Sequence, residues 1–464
     1  GNLFWSSISS DGKVIVYEND FGLWKLETAS GKTSEIKINI PSDDKENNVE
    51  LLKINSEADS FDLSPSTKRA VISTHGEIFT IAADKGDISR VTASFARQTL
   101  PAWSPDAKWL AYLSDQSGRD EVWLSDTQGK NAKQLTDSDP QKLAVVWAPD
   151  SKSILYPATD FNLHRVILET GKDQVLASSP VNNLQNPQFS PDGKWISYTK
   201  LDPNFLPHVY ILILSADSGE ERAIGGPELY TESGATWTPD GKGLLFLSGA
   251  SSFGPASATQ EPGQLYSLSL VKEERDLFDK GVDGEEVPAE GSSAAAGPDK
   301  TAESEPGGRG RPGEGRPGGQ PEAKKVEVKI DFDGMSRRAR QLTRLTDNVV
   351  SVVSAPDSKS YALVATGTQQ GRPVAAIYTV QADGEKLTRL AQSLPAEEED
   401  GPPGGFGFGG IISSLQFSKD GKTLFFRERD AIHSIEAGGG AGPAAAGPGR
   451  GSERKKLNFL AKVE

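Results

Sequence analysis

The chain has 464 residues, 50 Lys and Arg against 65 Asp and Glu, a net charge of −15, and no cysteine. That balance argues against partners that need a positive field, namely nucleic-acid phosphates and anionic lipid, and the missing thiols exclude disulfides, thiolate zinc sites and a cysteine nucleophile. Hydrophobic residues make up 36% and charged ones 25%, which suits a soluble globular protein with a disordered part, and no apolar run approaches the roughly 20 residues of a membrane span.

Taken in chain order, one hairpin signature recurs. A diverged copy, Ser9-Ser-Asp11-Gly-Lys13, sits within residues 1–38. Leu63-Ser-Pro65-Ser-Thr-Lys68 follows within 58–95, then Trp103-Ser-Pro-Asp106-Ala-Lys108 within 97–137 and Trp147-Ala-Pro-Asp150-Ser-Lys152 within 142–179. Phe189-Ser-Pro-Asp192-Gly-Lys194 lies within 183–225 and Trp237-Thr-Pro-Asp240-Gly-Lys242 within 231–271. Ala355-Pro-Asp357-Ser-Lys359 and Phe417-Ser-Lys-Asp420-Gly-Lys422 complete the series within 346–392 and 411–461. The prolines at 65, 105, 149, 191 and 239 are 40, 44, 42 and 48 residues apart. A period of roughly 40 to 50 residues marks one four-stranded blade of a β-propeller. The fold class is therefore all-β, a propeller of four-stranded antiparallel blades.

Residues 97–137 show how one repeat works. Thr99-Leu-Pro-Ala-Trp103 reads as a first strand, and Ser104-Pro-Asp106-Ala107 as a turn in which proline presets φ and aspartate accepts from the backbone two residues on. Alternating strands follow at Lys108–Leu113 and Glu121–Ser125, with an outer strand ending in Gln134-Leu-Thr136. Both faces of a blade pack on its neighbours, so Trp103, Trp147, Phe189, Trp237 and Phe417 are predicted to fill the seams between blades. The first strands, starting near Thr99, Lys142, Asn183, Thr231, Val349 and Ile411, are candidates to line a central channel.

Between the sixth and seventh hairpins the texture changes. Residues 280–324 are rich in Gly, Pro and Ser and cannot bury a core, which predicts a disordered insertion. Arg309, Arg311 and Arg316 lie there without the interleaved aromatics of an RNA-binding patch. Val326-Glu-Val-Lys-Ile-Asp-Phe332 returns to strand alternation, and Gln341-Leu-Thr-Arg-Leu-Thr346 resembles the outer-strand ending above. Two further flexible pieces are expected at 395–410 and 438–451. The chain opens mid-pattern at Gly1-Asn-Leu-Phe-Trp5 and stops at Ala461-Lys-Val-Glu464, which reads as a segment of a longer polypeptide.

The search for chemistry yields no catalytic, cofactor-binding or metal-binding residue, and no cofactor is expected. His75, His164, His208 and His433 fall in different blades, with no paired spacing. Neither a Gly-x-Ser-x-Gly elbow nor a phosphate loop occurs. Gly405-Phe-Gly-Phe-Gly-Gly410 matches Gly-x-Gly-x-x-Gly in letters only, because no helix follows it. Asp106, Asp150, Asp192, Asp240, Asp357 and Asp420 are assigned to structural turns. A calcium site needs several carboxylates converging in one loop, and each turn offers one.

The Ser-Pro-Asp-Gly-Lys turns resemble TolB-type propeller repeats. Three stretches narrow the resemblance to the tricorn-type serine peptidases: Gly76–Asp87 with Trp103–Gly118; the Pro/Gly-rich insertion with Val328-Lys-Ile-Asp-Phe-Asp-Gly334; and Leu415–Arg427 with Lys456-Leu-Asn-Phe459. In that family a six-bladed propeller precedes a seven-bladed one, followed by PDZ and peptidase domains. The resemblance thus implies that residues 1–45 are the last blade of a preceding propeller and residues 50–464 a seven-bladed one. It implies peptides or unfolded polypeptide as partners, gated toward catalytic residues outside this chain, and the PDZ and peptidase domains of the parent protein as further partners, with homo-oligomers allowed. It also implies a hydrolase as the parent and a periplasmic or secreted location, with the cytoplasm as the alternative. A second reading is a non-enzymatic TolB-type interaction propeller, and a third is a propeller fused to another hydrolase.

Overall fold

In the computed structural model, residues 3–19, 22–38, 52–83, 88–202, 207–213, 221–224, 230–250, 262–272, 326–369, 372–393, 412–438 and 454–463 are described. They fall into two compact units, 1–51 (with residue 464) and 52–463.

The first unit is one antiparallel sheet of four strands, Leu3–Ile8, Val14–Asn19, Gly22–Glu27 and Thr33–Glu35, hydrogen-bonded in that order. Its turn is closed by Asp11, whose Oδ1 accepts from Ser9 Oγ at 2.6 Å and from Lys13 N at 3.1 Å. None of its described residues is buried.

The second unit contains seven four-stranded antiparallel sheets, each a simple meander. We number these blades I to VII, at 60–90, 98–134, 146–178, 185–223, 230–341, 348–392 and 412–456. Their first strands are Ser60–Leu63, Gln98–Trp103, Val146–Trp147, Gln185–Phe189, Tyr230–Trp237, Asn348–Ser354 and Ile412–Phe417. Each first strand touches that of the next blade, and that of blade VII touches that of blade I, so the ring closes. The two ends of the unit hold the closure. Leu460–Val463 pairs antiparallel with Leu52–Asn55, and Ser56 N donates to Phe459 O at 3.0 Å. Around this clasp Ile54, Phe61, Phe425 and Ala461 share one apolar cluster.

The turns follow from the repeated sequence. Asp106 Oδ1 accepts from Ser104 Oγ at 2.7 Å and from Lys108 N at 3.1 Å, while Ser104 Oγ accepts from Trp109 N at 2.9 Å. Asp192, Asp240 and Asp420 repeat this with Ser190, Thr238 and Ser418. Asp150 and Asp357 keep only the backbone bond, from Lys152 N and Lys359 N, because Ala148 and Ala355 replace the hydroxyl residue. The residue after each aspartate is left-handed, with φ from 59° at Ser151 to 72° at Gly193.

The seams are aromatic and aliphatic. Trp103 packs with Val71 and Ile78 of blade I and with Leu110 of its own blade. Trp147 does the same between blades II and III. The recurring Leu-Thr ending also has a structural reason. Hydroxyls of Thr92, Thr136 and Thr343 each accept from a third-strand amide, those of Ile78, Val122 and Leu265, at 2.9 Å. An outer strand of two or three residues is thereby pinned to the strand inside it.

Blade V departs from the sequence reading in one respect. Val326–Phe332 was expected as a strand, yet it pairs with none. It is a strap. Val328 N donates to Asp192 Oδ2 at 3.0 Å, and the Phe332 ring lies 5.8 Å from that of Trp195. Val328, Ile330 and Phe332 join the apolar cluster around Trp237, so the period-two alternation records one-sided burial rather than a hydrogen-bonded ladder. A short 3-10 helix, Met335–Arg338, leads to the outer strand Ala339–Gln341, which completes the blade. The strap explains a glycine. At Gly241 (φ 71°) a Cβ would stand 2.8 Å from Val326 Cγ1 and 2.9 Å from Val328 Cγ2. The insertion expected at 280–324 and the piece at 395–410 lie outside the described residues, as does 438–451 beyond Gly438.

Candidate channel lining

The first strands carry two belts of side chains. One belt stands immediately before the seam position of each repeat: Asp62, Ala102, Val146, Gln188, Thr236, Val353 and Gln416. Their register is uniform, each opposite the residue next to the seam partner on the neighbouring strand, as in Ala102↔Ala111 beside Trp103↔Leu110 and Gln188↔Ser197 beside Phe189↔Ile196. All seven are partly exposed, whereas flanking residues such as Phe61, Leu63, Trp103, Phe189 and Trp237 are buried. Seam residues pack on the preceding blade and the alternate positions lean toward the following one, Ala102 against the cluster of Trp147 and Asp62 toward Trp103 N, so their partial exposure lies along the inner edge of the ring.

The second belt is made by β-bulges. The pairing of first and second strands slips between Thr99 and Ala102, Gln185 and Gln188, Ser233 and Thr236, Val349 and Ser351, and Ser413 and Gln416. A bulge bends the strand and re-aims a side chain. Leu100, Asn186, Gly234 and Ser414 adopt φ of 50°, 47°, 63° and 55° at these bulges. Leu100, Asn186, Val350 and Ser414 are exposed.

Taken together, the belts present hydroxyl, amide and aliphatic groups and one ionisable side chain, Asp62. Its Oδ2 accepts from Trp103 N of blade II at 2.7 Å. On the other side Gln416 of blade VII reaches across to blade I, its Oε1 accepting from Leu63 N at 3.0 Å. Burial pushes the Asp62 carboxyl up to about 6, against the hydrogen bonds from Trp103, Leu63 and Gln416. On the face opposite the turns, a cleft of about 830 Å³ opens between blades V and VI, lined by Thr231, Ser233, Ser248, Asp347, Asn348 and Thr366 among others.

Other titratable groups lie away from the belts. Lys142, near an expected channel-lining segment, is instead fully buried, its Nζ 2.6 Å from Glu121 Oε2 and 2.6 Å from Ser138 O. His164 sits between Asp160 (3.0 Å) and Asp173 (3.5 Å) on the third strand of blade III. Burial opposes its charge, but the bonds to both carboxylates prevail and raise its pKa. Glu232 lies 3.8 Å from His208, and its carboxyl is pushed up by burial to about 7. His75 and His433 belong to blades I and VII, so the four histidines are not brought together. Among the described residues no group of three or more His, Cys, Asp or Glu is placed to hold a metal, and no helix is long and apolar enough to cross a membrane. The six turn aspartates stand one to a blade between the first and second strands, where no two share a turn.

These candidate lining residues were missed in the sequence because no single one is unusual. The available signal was positional: the residue before the seam aromatic, read down all copies of the repeat.

Comparison with known proteins extends the description. Residues 6–205 match the family model of the TolB beta propeller domain. The chain is 27% identical over 173 residues, 37% of its length, to the uncharacterized peptidase YuxL of Bacillus subtilis (strain 168), of which it covers 24%. It is 21% identical over 240 residues, 42% of its length, to a putative tricorn-like protease C-terminal subunit of Sulfurisphaera tokodaii, covering 28% of that protein. Among solved structures, the crystal structure of the tricorn protease superposes over 99% of this chain and 40% of its own, with a TM-score of 0.58 at 12% identity. The chain thus spans less than half of each of these three proteins.

Proposed function

Taking as premise a propeller chain with TolB-type repeats that resembles the tricorn-type peptidases, we propose that the ring of residues 52–463 gates and channels peptides toward a serine-peptidase core outside this chain. The observation that carries this reading is the lining. Two belts of hydroxyl, amide and aliphatic groups offer many weak contacts to an extended backbone and no strong one, which favours entry without capture. On this reading the peptidase activity belongs elsewhere in the parent protein. Residues 1–45 are, on the same reading, the last blade of a preceding six-bladed propeller. A periplasmic or secreted location accompanies the reading, and fractionation of the source cells tests it.

The absence of cysteine supplies the main experiment. Asn186→Cys offers one exposed thiol on a first strand, to which a bulky maleimide is attached. Binding of a fluorescent unfolded peptide is measured by anisotropy before and after labelling. The expected result is binding that the label abolishes. Full binding after labelling, or no peptide binding by the unlabelled protein, overturns the proposal. The TolB repeat match favours a second reading, an interaction propeller that holds a folded protein partner. Label-insensitive capture of one such partner supports that instead.

A further inference from the structure

We propose that Asp62 forms a selectivity site for a cationic group in the channel, an ammonium or guanidinium carried by a peptide. The inference rests on the peptide-channelling reading and specifies which peptides the ring prefers.

Asp62 is the one ionisable side chain in either belt. It lies beside the seam that closes the ring, flanked by Gln416 of the last blade and Trp103 of the second. Its two neighbours in sequence, Phe61 and Leu63, are buried, while Asp62 remains partly exposed on a first strand whose outer side is covered by the rest of its blade, so that exposure lies on the inner side of the ring. Among the described residues no cationic group acts on its carboxyl. No other titratable residue occurs in the first strands of blades VII, I and II. Arg69, on the second strand of blade I, is turned to the third strand, its guanidinium donating to Thr80 O at 3.0 Å. The carboxylate is therefore held by neutral donors and left without a counter-ion, and a low-dielectric wall strengthens its field toward a mobile cation. Because burial sets the carboxyl near 6, the site is ionised at neutral pH and discharged on mild acidification.

The test compares three fluorescent peptides of equal length, Lys-rich, Glu-rich and Gly/Ser-only, on the full chain at pH 7.5. Wild-type protein is expected to bind the Lys-rich peptide more tightly than the Gly/Ser peptide by about fivefold, the order of one charge pair at contact in water. Asp62→Asn retains an acceptor for Trp103 N and is expected to remove that preference, bringing the Lys-rich and Gly/Ser affinities to parity. Lowering the pH to 5 is expected to reproduce the variant's behaviour in the wild type. A double variant, Asp62→Asn with Gln188→Glu, returns a carboxylate to the same belt in blade IV and should restore the preference. A cation preference that survives Asp62→Asn, or a double variant that fails to restore it, overturns the inference alone. Failure of all three peptides to bind the wild type overturns the channelling reading and the inference with it.

Discussion

Ile8 and Trp103 hold the same place in the same hairpin, yet Ile8 is 61% exposed and Trp103 only 8%. Both hairpins carry a first-strand bulge, with φ of 49° at Trp5 and 50° at Leu100. In both, a serine and an aspartate close the turn, Ser9 with Asp11 at 2.6 Å and Ser104 with Asp106 at 2.7 Å. Turn and bulge are thus local properties of the repeat. Burial is not: in the ring each sheet has two neighbours, and Trp103 finds Val71 and Ile78 of blade I. A blade alone cannot cover its own faces, which is the general condition of repeat folds.

The largest expected effect exploits that contrast. Trp237→Ala, in the cluster of blade V, should destabilise the ring by about 3–5 kcal/mol, the usual cost of emptying a buried aromatic site. Ile8→Ala, at the equivalent place in the first unit, should cost less than about 1 kcal/mol, since little surface is withdrawn from water there. Urea unfolding monitored by tryptophan fluorescence measures both. Equal costs would show that residues 3–38 draw on a covering surface as the ring blades do.

Next in size is the buried pair between blades II and III. Lys142→Ala leaves Glu121, 1% exposed, without its cation, although Thr136 Oγ1 still donates to it at 2.6 Å. Removing one partner of a buried pair costs about 3–5 kcal/mol before relaxation, and the remaining hydroxyl places the expected loss at the lower end. Lys142→Met with Glu121→Gln should recover much of it. A double variant no more stable than Lys142→Ala, in the same urea series, would argue against the pair as the cause.

The ring was legible in the sequence for the reason just given. The turn Ser-Pro-Asp-Gly-Lys is specified by short-range hydrogen bonds, so each copy could be recognised and counted alone, and the seam aromatics stood beside it. What was not legible depends on the ring being assembled. Asp62 and Gln416 become neighbours only because the last blade meets the first, across more than 350 positions of sequence. Val326–Phe332 showed the alternation of a strand, but its partner is the apolar surface over Trp195 and Trp237 rather than a backbone edge. Periodicity reports which side is buried, not what buries it.

The strap offers a third test within the ring. Gly241→Ala must accept both a left-handed residue, about 1 kcal/mol or more, and a Cβ in the space of Val326 and Val328. Gly193→Ala meets only the first cost, since its nearest neighbour there is Pro149 Cδ at 3.7 Å. Gly241→Ala should be the more destabilising by roughly 1–2 kcal/mol in thermal or urea unfolding. Equal effects would mean that the strap yields freely over blade V.

Stability should also vary with pH through a contribution that, among the described residues, only the ring carries. Asp62 and Glu232 of the ring have carboxyls raised by burial, to about 6 and about 7, above their ordinary values. An acid that binds its proton more tightly when folded stabilises the fold at low pH and loses that contribution as pH rises through the folded value. Between about pH 4 and 7 these two groups should make the ring less stable as pH increases. Asp62→Asn should flatten its part of the slope. The first unit has no raised carboxyl among its described residues; Asp11 is instead lowered, chiefly by the bond from Ser9. Its contribution is present above the ordinary value and fades as pH falls through the folded one. The turn aspartates Asp106, Asp192 and Asp420 of the ring are lowered as Asp11 is, so the expected result is a difference in slope between the wild-type ring and Asp62→Asn, followed by pH-dependent hydrogen exchange. Identical slopes would remove the contribution of Asp62.

The smallest effect is expected where the two regions agree. Asp106→Ala removes the acceptor of Ser104 Oγ and Lys108 N and should cost about 1 kcal/mol. Asp11→Ala removes the same two bonds in the first unit, from Ser9 Oγ and Lys13 N, and should act in the same direction on that unit's own opening. Both aspartates accept from residues two positions away, so the loss does not depend on a neighbouring blade. Amide exchange at Lys13 and Lys108 reads each turn separately. Accelerated exchange confined to the mutated turn fits a local device, repeated wherever a hairpin needs closing. If Asp106→Ala instead loosened the amides of blade III, the turn would be acting through Ser151, whose hydroxyl accepts from Asp106 N at 3.1 Å, as part of the seam. That single inter-blade bond is what the ring adds to a turn otherwise shared by both units.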